Sequence, residues 1–334
     1  MSSIDEMALK ILENAPGKDE ASERALLDRA ANVLRPAGAL ARLDAVAAWL
    51  ASWQHTTTPQ VTKPAVVVFV ADHGVTTEGV SAYPAEVTVA MLRALNEGVA
   101  TAAAMSRSIG ARLLVVDVGV GNPTGNIATE PALSEERFTQ CFDAGREAVA
   151  TLDTDLVIFG EMGIGNTTPA AAVAATLFGG PAEEWTGRGT GVDDETWARK
   201  VQAVERARAR ISSDASPLEI LRQVGGAELA AIAGAMVEAR VRSIPVLLDG
   251  FVVTAAVAPL AVLDPGALDN CLAGHRSPEP GHAMLLDKLG LEPLLDLNMR
   301  LGEASGALAA LPLVRLAATV VVDVATFEEW GLTR

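Results

Sequence analysis

Ala65-Val66-Val67-Val68-Phe69-Val70-Ala71-Asp72-His73-Gly74 is an apolar run that closes on a polar, glycine-bearing turn. A β-branched run with no polar alternation reads as a strand covered on both faces, the kind a parallel sheet uses. The construction recurs. Residues 113–116 run into Asp117-Val118-Gly119-Val120, and residues 156–159 run into Gly160-Glu161-Met162-Gly163-Ile164-Gly165-Asn166. Residues 245–248 run into Asp249-Gly250-Phe251, and alanine-rich helical stretches lie between the strands. Strands alternating with helices predict an α/β fold, a doubly wound and mainly parallel sheet flanked by helices, over residues 31–304. In such sheets ligands collect beyond the carboxyl ends of the strands, where all of these polar loops lie.

Outward from that body, residues 4–50 read as amphipathic helices, broken at Pro16-Gly17 and again at residues 36–38. Residues 306–334 are helical in pattern as well. A small helical domain built from residues 1–30 and 305–334 is therefore expected.

Bulk composition narrows the function. A chain of 334 residues, 50% hydrophobic and 20% charged, has ample material for a core. A net charge of -16 excludes a nucleic-acid or anionic-membrane partner, since phosphate surfaces are held by excess Lys and Arg. The only cysteines, Cys141 and Cys271, form neither a CxxC metal motif nor a disulfide framework, which fits a reducing cytoplasm. The first residues carry acids and lack the basic start of a signal peptide. Residues 308–322, interrupted by Pro312 and Arg315, are expected to be too short to span a bilayer.

Candidate chemistry gathers in the loops. Glycines in residues 160–168 let a backbone approach a ligand, and Asn166 or Thr167 can cap the following helix, whose free N–H groups suit a phosphate. The same residues also read as an ordinary tight turn. Gly187-Arg188-Gly189-Thr190-Gly191 with Lys200 on the next helix offers a cation, amides and a hydroxyl for phosphate or ribose; an exposed surface loop is the alternative. His73, His275 and His282 lack metal-ligand spacing and read as hydrogen-bonding groups, so no metal is expected. Tyr83, the only tyrosine, stands beside Pro84 and suits one wall of a flat aromatic pocket, or a buried phenol. Glu303 lies between Gly302 and Ala304 in apolar surroundings, which favour its protonated form and suit a general base; an exposed pair with Arg300 is the alternative.

Taken in order, these segments resemble the nicotinate mononucleotide:dimethylbenzimidazole phosphoribosyltransferase family. The matching pieces are Ala71-Asp72-His73-Gly74-Val75, residues 79–84, 160–168 and 187–191, Leu248-Asp249-Gly250-Phe251, His275-Arg276-Ser277, and residues 279–282 and 300–306. The resemblance implies transfer of a phosphoribosyl group to a benzimidazole, with inversion at the anomeric carbon and Glu303 as base. It also implies a homodimer, the two-domain arrangement and no cofactor. Around the donor it places Glu161, Gly163, Asn166, Thr167, Arg188, Gly189, Thr190, Gly191, Lys200, Asp249, His275 and Ser277. Around the acceptor base it places Ser81, Tyr83, Ala85, Met162 and Leu301. Family members commonly carry glutamine where this chain has Ala85, which opens the acceptor preference to related bases. A dinucleotide-dependent dehydrogenase is disfavoured because no GxGxxG follows the first strand. A nucleotide-sensing protein without turnover is the non-enzymatic rival, against which Glu303 and Lys200 both speak.

Overall fold

The computed structural model describes residues 2–333. Three helices, α1 (Ser3–Glu13), α2 (Glu20–Asn32) and α3 (Ala41–Gln54), precede strand β1 (Pro64–Ala71). Next come α4 (Val87–Asn96), α5 (Thr101–Ser108), β2 (Arg112–Gly119), α6 (Glu135–Ala150) and β3 (Leu156–Met162). The middle of the chain is helical: α7 (Thr167–Phe178), α8 (Ala182–Trp185), α9 (Asp194–Ala209), α10 (Pro217–Val224) and α11 (Ala227–Val241). The remainder is β4 (Val246–Leu248), α12 (Phe251–Leu263), β5 (Cys271–His275), α13 (Pro280–Leu289), β6 (Pro293–Leu295) and α14 (Ser305–Val322).

The six strands form one sheet in the order β2-β1-β3-β4-β5-β6, and every neighbouring pair is parallel. The chain reverses its winding between β1 and β3, so the crevice at their carboxyl ends is the switch point where such folds bind ligands. Strand β1 shows why its sequence reads as it does. Ala65, Val67, Phe69 and Ala71 pack against one helical layer, Val66, Val68 and Val70 against the other, and all eight residues are buried. Side chains alternate across the pleat, so with both faces covered the apolar run is continuous.

One layer holds α1 and most of α6 to α13, the other α2 to α5 and α14. Helices α6 and α11 meet backbone to backbone: a Cβ on Gly145 would lie 1.8 Å from the Ala231 carbonyl oxygen, and one on Gly234 1.9 Å from that of Phe142. The segment after α2 pairs with the one after α14 through the Val33–Thr326 bridge, and Arg29 donates its guanidinium to the carbonyls of Val321, Val322 and Val324. Helix α1 is elsewhere, against α10 and α11, and α14 is seated on the sheet itself.

Two expectations need correction. Strands β5 and β6 were not read in the sequence, because β5 ends on Gly274 and His275 and β6 is a three-residue edge strand beginning with proline. The late apolar stretch is longer than expected: α14 has the length and hydropathy of a membrane-spanning helix. Its apolar face is instead spent inside the fold, where Leu308, Leu311, Val314 and Val321 are fully buried and Arg315 donates to the Val61 and Ile109 carbonyls.

Candidate active site

A cavity of about 400 Å³ opens at the carboxyl ends of the central strands. Its wall takes in every residue the sequence placed around donor and acceptor except Ala85 and Gly191. Gly191 lines an adjoining cavity on the outer side of the 187–191 loop. Ala85 sits half-buried in the turn before α4, outside the wall, whereas Ser81 and a half-exposed Tyr83 line its rim, which excludes the reading of Tyr83 as a buried phenol.

Glu303 is 2% exposed, so the reading of an exposed pair with Arg300 is excluded. Residues 302 to 304 all have left-handed backbone, with φ of 82°, 57° and 65°. For the two non-glycines this costs on the order of 1 kcal/mol each, and such strain persists only where the surroundings enforce it. Here the Glu303 amide donates to the Glu161 carbonyl (3.2 Å), Ser305 donates to the Gly302 carbonyl (3.0 Å), and Gly160 lies flat beneath. The side chain then reaches the first turn of α5, where a carboxylate oxygen accepts from the Ala102 amide at 3.4 Å. Burial raises the proton affinity of Glu303, with the charge of Asp249 adding to it, while the Ala102 amide opposes both.

Glu161 is the second carboxyl group. Burial above all, helped by the charges of Glu228, Asp249 and Glu303, pushes it up to about 8 against the opposing hydrogen bond from Asn166. That hydrogen bond revises the expected role of Asn166: it stands at the N-cap of α7 but makes no capping bond, donating its amide to Glu161 instead. The cavity thus holds two carboxyl groups, Glu161 and Glu303, whose proton affinities are both raised by burial, a kind of environment that acid–base sites use.

The cationic end is built around Lys200. Its ammonium, 2% exposed, donates to the Thr167 hydroxyl (2.8 Å) and the Gly187 carbonyl (2.9 Å). Burial lowers it to about 8, partly offset by Glu279. Arg188 is half-exposed, paired with Asp194 and lying 6.0 Å over the Trp197 ring, so its guanidinium faces the rim.

Three further expected residues acquire defined surroundings. Asp249 accepts from the Gly306 (2.8 Å) and Ala307 (3.0 Å) amides, capping α14 from another strand end where the helix has only Ala304 at its own cap. His275 lies 3.6 Å from that carboxylate, with its Nδ1 unpartnered. The Ser277 amide donates to His282 Nδ1 (3.0 Å), and Thr254 stands 3.1 Å from Nε2, which places the proton there. Burial drops His282 to about 3, so it stays neutral and orients Ser277.

Beneath the floor, His73 and Glu228 are fully buried and hydrogen-bonded at 2.6 Å. The imidazole is pressed between Gly163 and Gly226, whose Cβ atoms would lie 2.9 Å and 2.4 Å from it. No group of three or more His, Cys, Asp or Glu suited to a metal occurs among the described residues. Sequence reasoning missed Glu279, Phe251 and Met91 in the wall. Glu279 had a visible signal, an acid immediately before a helix-starting proline in a glycine-rich context.

A family model described as Phosphoribosyltransferase matches residues 15–332. The chain is 50% identical over 332 residues to the nicotinate-nucleotide–dimethylbenzimidazole phosphoribosyltransferase of Mesorhizobium japonicum, covering 99% of this chain and 98% of that protein. It is 47% identical over 321 residues to the enzyme of the same name from Methylorubrum extorquens, covering 96% and 94%. Among solved structures, CobT from Thermus thermophilus superposes with a TM-score of 0.90 at 42% identity, covering 94% of this chain and 99% of that one.

Proposed function

From the premise that this chain belongs to the phosphoribosyltransferase family, we propose that it transfers the phosphoribosyl group of nicotinate mononucleotide to dimethylbenzimidazole, releasing nicotinate and α-ribazole 5'-phosphate. The observation that carries the mechanism is the placing of a buried carboxyl group with no cationic partner, Glu303, on the wall of the same cavity that holds the Lys200 cradle.

The chemistry follows from these groups. A benzimidazole attacks the ribose anomeric carbon through one ring nitrogen and must lose a proton from the other. Glu303 takes that proton as the carbon–nitrogen bond forms, so the product is neutral at the ring. On the opposite face the bond to nicotinate breaks, and its electron pair returns to the pyridine nitrogen, neutralising the ring's positive charge. Attack opposite the leaving group inverts the β-linked donor to an α-linked product. Lys200, Thr167 and the 187–191 loop orient the phosphate, with Ser277 and Gly163 on the ribose side, contributing chiefly by holding the reacting centres in line. A neutral Glu161 can donate a hydrogen bond to a substrate oxygen without adding a second negative charge beside the base.

The cavity wall includes the apolar side chains of Val80, Val87, Met91, Met162, Ile164 and Leu301 as well as Ser81 and Tyr83. That supports a flat methylated aromatic. Ala85, outside the wall, has little leverage on the choice of base. The same proposal takes in a homodimer and a cytoplasmic setting, the first testable by sedimentation equilibrium.

Purified protein given nicotinate mononucleotide and dimethylbenzimidazole is expected to release nicotinate and an α-ribosyl phosphate, identifiable by mass and by anomeric proton coupling. Glu303→Gln should reduce kcat by roughly 10²- to 10⁴-fold with donor binding intact. An unimpaired variant would remove the base assignment, and a mixture of competing bases yielding another product would redirect the acceptor.

A further inference from the structure

We propose that Glu279 is a positioning residue for the donor phosphate, holding the 187–191 loop and the ammonium of Lys200 in register from behind. The inference rests on the reading that this loop and Lys200 receive the phosphate.

Glu279 stands at the N-cap of α13, yet its side chain makes no cap to its own helix. At 9% exposed it turns toward the glycine-rich loop, where burial raises its proton affinity and the Lys200 charge, the Gly189 amide and the Arg300 charge oppose that rise. One carboxylate oxygen, Oε2, has no hydrogen-bond partner and lies against Gly187, where a Cβ would be only 1.9 Å away. Glycine at 187 is thereby explained: any side chain there would occupy the position of the carboxylate. The Gly187 carbonyl in turn accepts from Lys200, and a Cβ on Gly189 would lie 3.3 Å from both the Lys200 ammonium and the Thr167 hydroxyl. Four segments, the N-terminus of α13, the loop, α9 and α7, therefore meet around one buried acid and one buried base.

Charge makes the acid matter as well as its shape. Lys200 is deeply buried, and Glu279 is the single nearby charge that opposes the loss of its proton. Facing Glu279 are Lys200 from α9, Arg300 from the segment before α14, and Arg188 of the loop; Glu183 lies across the outer cavity, and α7 presents only the Thr167 hydroxyl. An amide at position 279 would keep the packing on Gly187, but would withdraw the negative charge. Lys200 would then lose its proton at lower pH, and the donor's phosphate would meet an uncharged amine.

The test is steady-state kinetics of Glu279→Gln and Glu279→Asp, with nicotinate mononucleotide varied between pH 6 and pH 9.5. For Glu279→Gln, KM for nicotinate mononucleotide should rise about fivefold at pH 8, approach tenfold at pH 9.5 and stay near the parent value at pH 6, KM for dimethylbenzimidazole should not change, and the alkaline limb of kcat/KM should move about one pH unit lower, at tenfold per unit. Glu279→Asp, which retains the charge, should restore the position of that limb even where its shorter side chain weakens the loop. An unmoved limb in both variants, or a loss confined to kcat, overturns the proposal. Lys200→Met separates the two readings: if it leaves donor affinity intact by calorimetry, the phosphate assignment itself fails. If it abolishes affinity while the limb of Glu279→Gln stays in place, only the role of Glu279 fails.

Discussion

Replacing Gly160 by alanine would test the active-site geometry through a residue expected to touch neither substrate. The new methyl carbon would lie 2.6 Å from the Ala304 nitrogen, 2.7 Å from its Cβ and 2.9 Å from the Glu303 carbonyl carbon. Two of these three are backbone atoms, which have no rotamer by which to retreat. Restoring an ordinary contact of about 3.5 Å moves residues 303 and 304 by roughly 1 Å. That segment already has left-handed backbone and leads directly into α14, so the displacement passes to the Glu303 carboxylate instead of being absorbed locally. A misplacement of about 1 Å at a reacting group costs on the order of 10²-fold in rate, near 2.7 kcal/mol of barrier. Overpacking of this kind also lowers stability by about 1–3 kcal/mol, so the variant should melt earlier yet remain folded at assay temperature. The assay is release of nicotinate at saturating substrates by protein that keeps its parent far-UV circular dichroism. A folded Gly160→Ala protein with the parent kcat would show that position 303 is not geometrically critical and would refute the reasoning.

Other outcomes follow from the same site. Burial holds Glu303 above its ordinary 4.5, and the base must be ionised, so kcat should fall as pH drops through a value above 4.5; an acid limb below that would count against it. Glu161→Gln should stabilise the fold increasingly with pH. Native Glu161, at about 8, holds a proton that the unfolded chain releases near 4.5, so the parent loses stability as pH rises across that window, on the order of 5 kcal/mol at 1.36 kcal/mol per pH unit. Thermal melts from pH 5 to pH 9 should show the gap widening, and a constant gap would contradict the assignment. His73→Ala leaves the buried Glu228 carboxylate without its partner and should cost roughly 3 kcal/mol in urea unfolding, whereas an unchanged midpoint would mean the pair contributes no net stability.

Much of the fold was legible because burial on both faces makes β1, β4 and the first half of β3 uniformly apolar, a pattern that needs no long-range information, and the half-buried edge strand β2 keeps an apolar centre at residues 113–116. β5 and β6 were illegible for the complementary reason: Gly274, His275 and Pro293 are poor strand residues that pair only because β4 and β5 present an open edge. In the site, the glycine-rich loops and Lys200 stood out by residue type alone. The roles of Asn166 and Asp249 did not, since the first bonds a carboxyl group five residues back and the second caps a helix that starts more than fifty residues later.

The parallel α/β architecture, the loops that carry chemistry and the family likeness could be read from residue order alone, because strand apolarity, glycine placement and motif order are local properties. The burial of Glu303, the raised proton affinity of Glu161, the place of Ala85 outside the pocket wall and that of Glu279 behind the 187–191 loop emerge only in the folded chain. Those are matters of which distant segments exclude water from a charge, and solvent exclusion is a property of the packed chain.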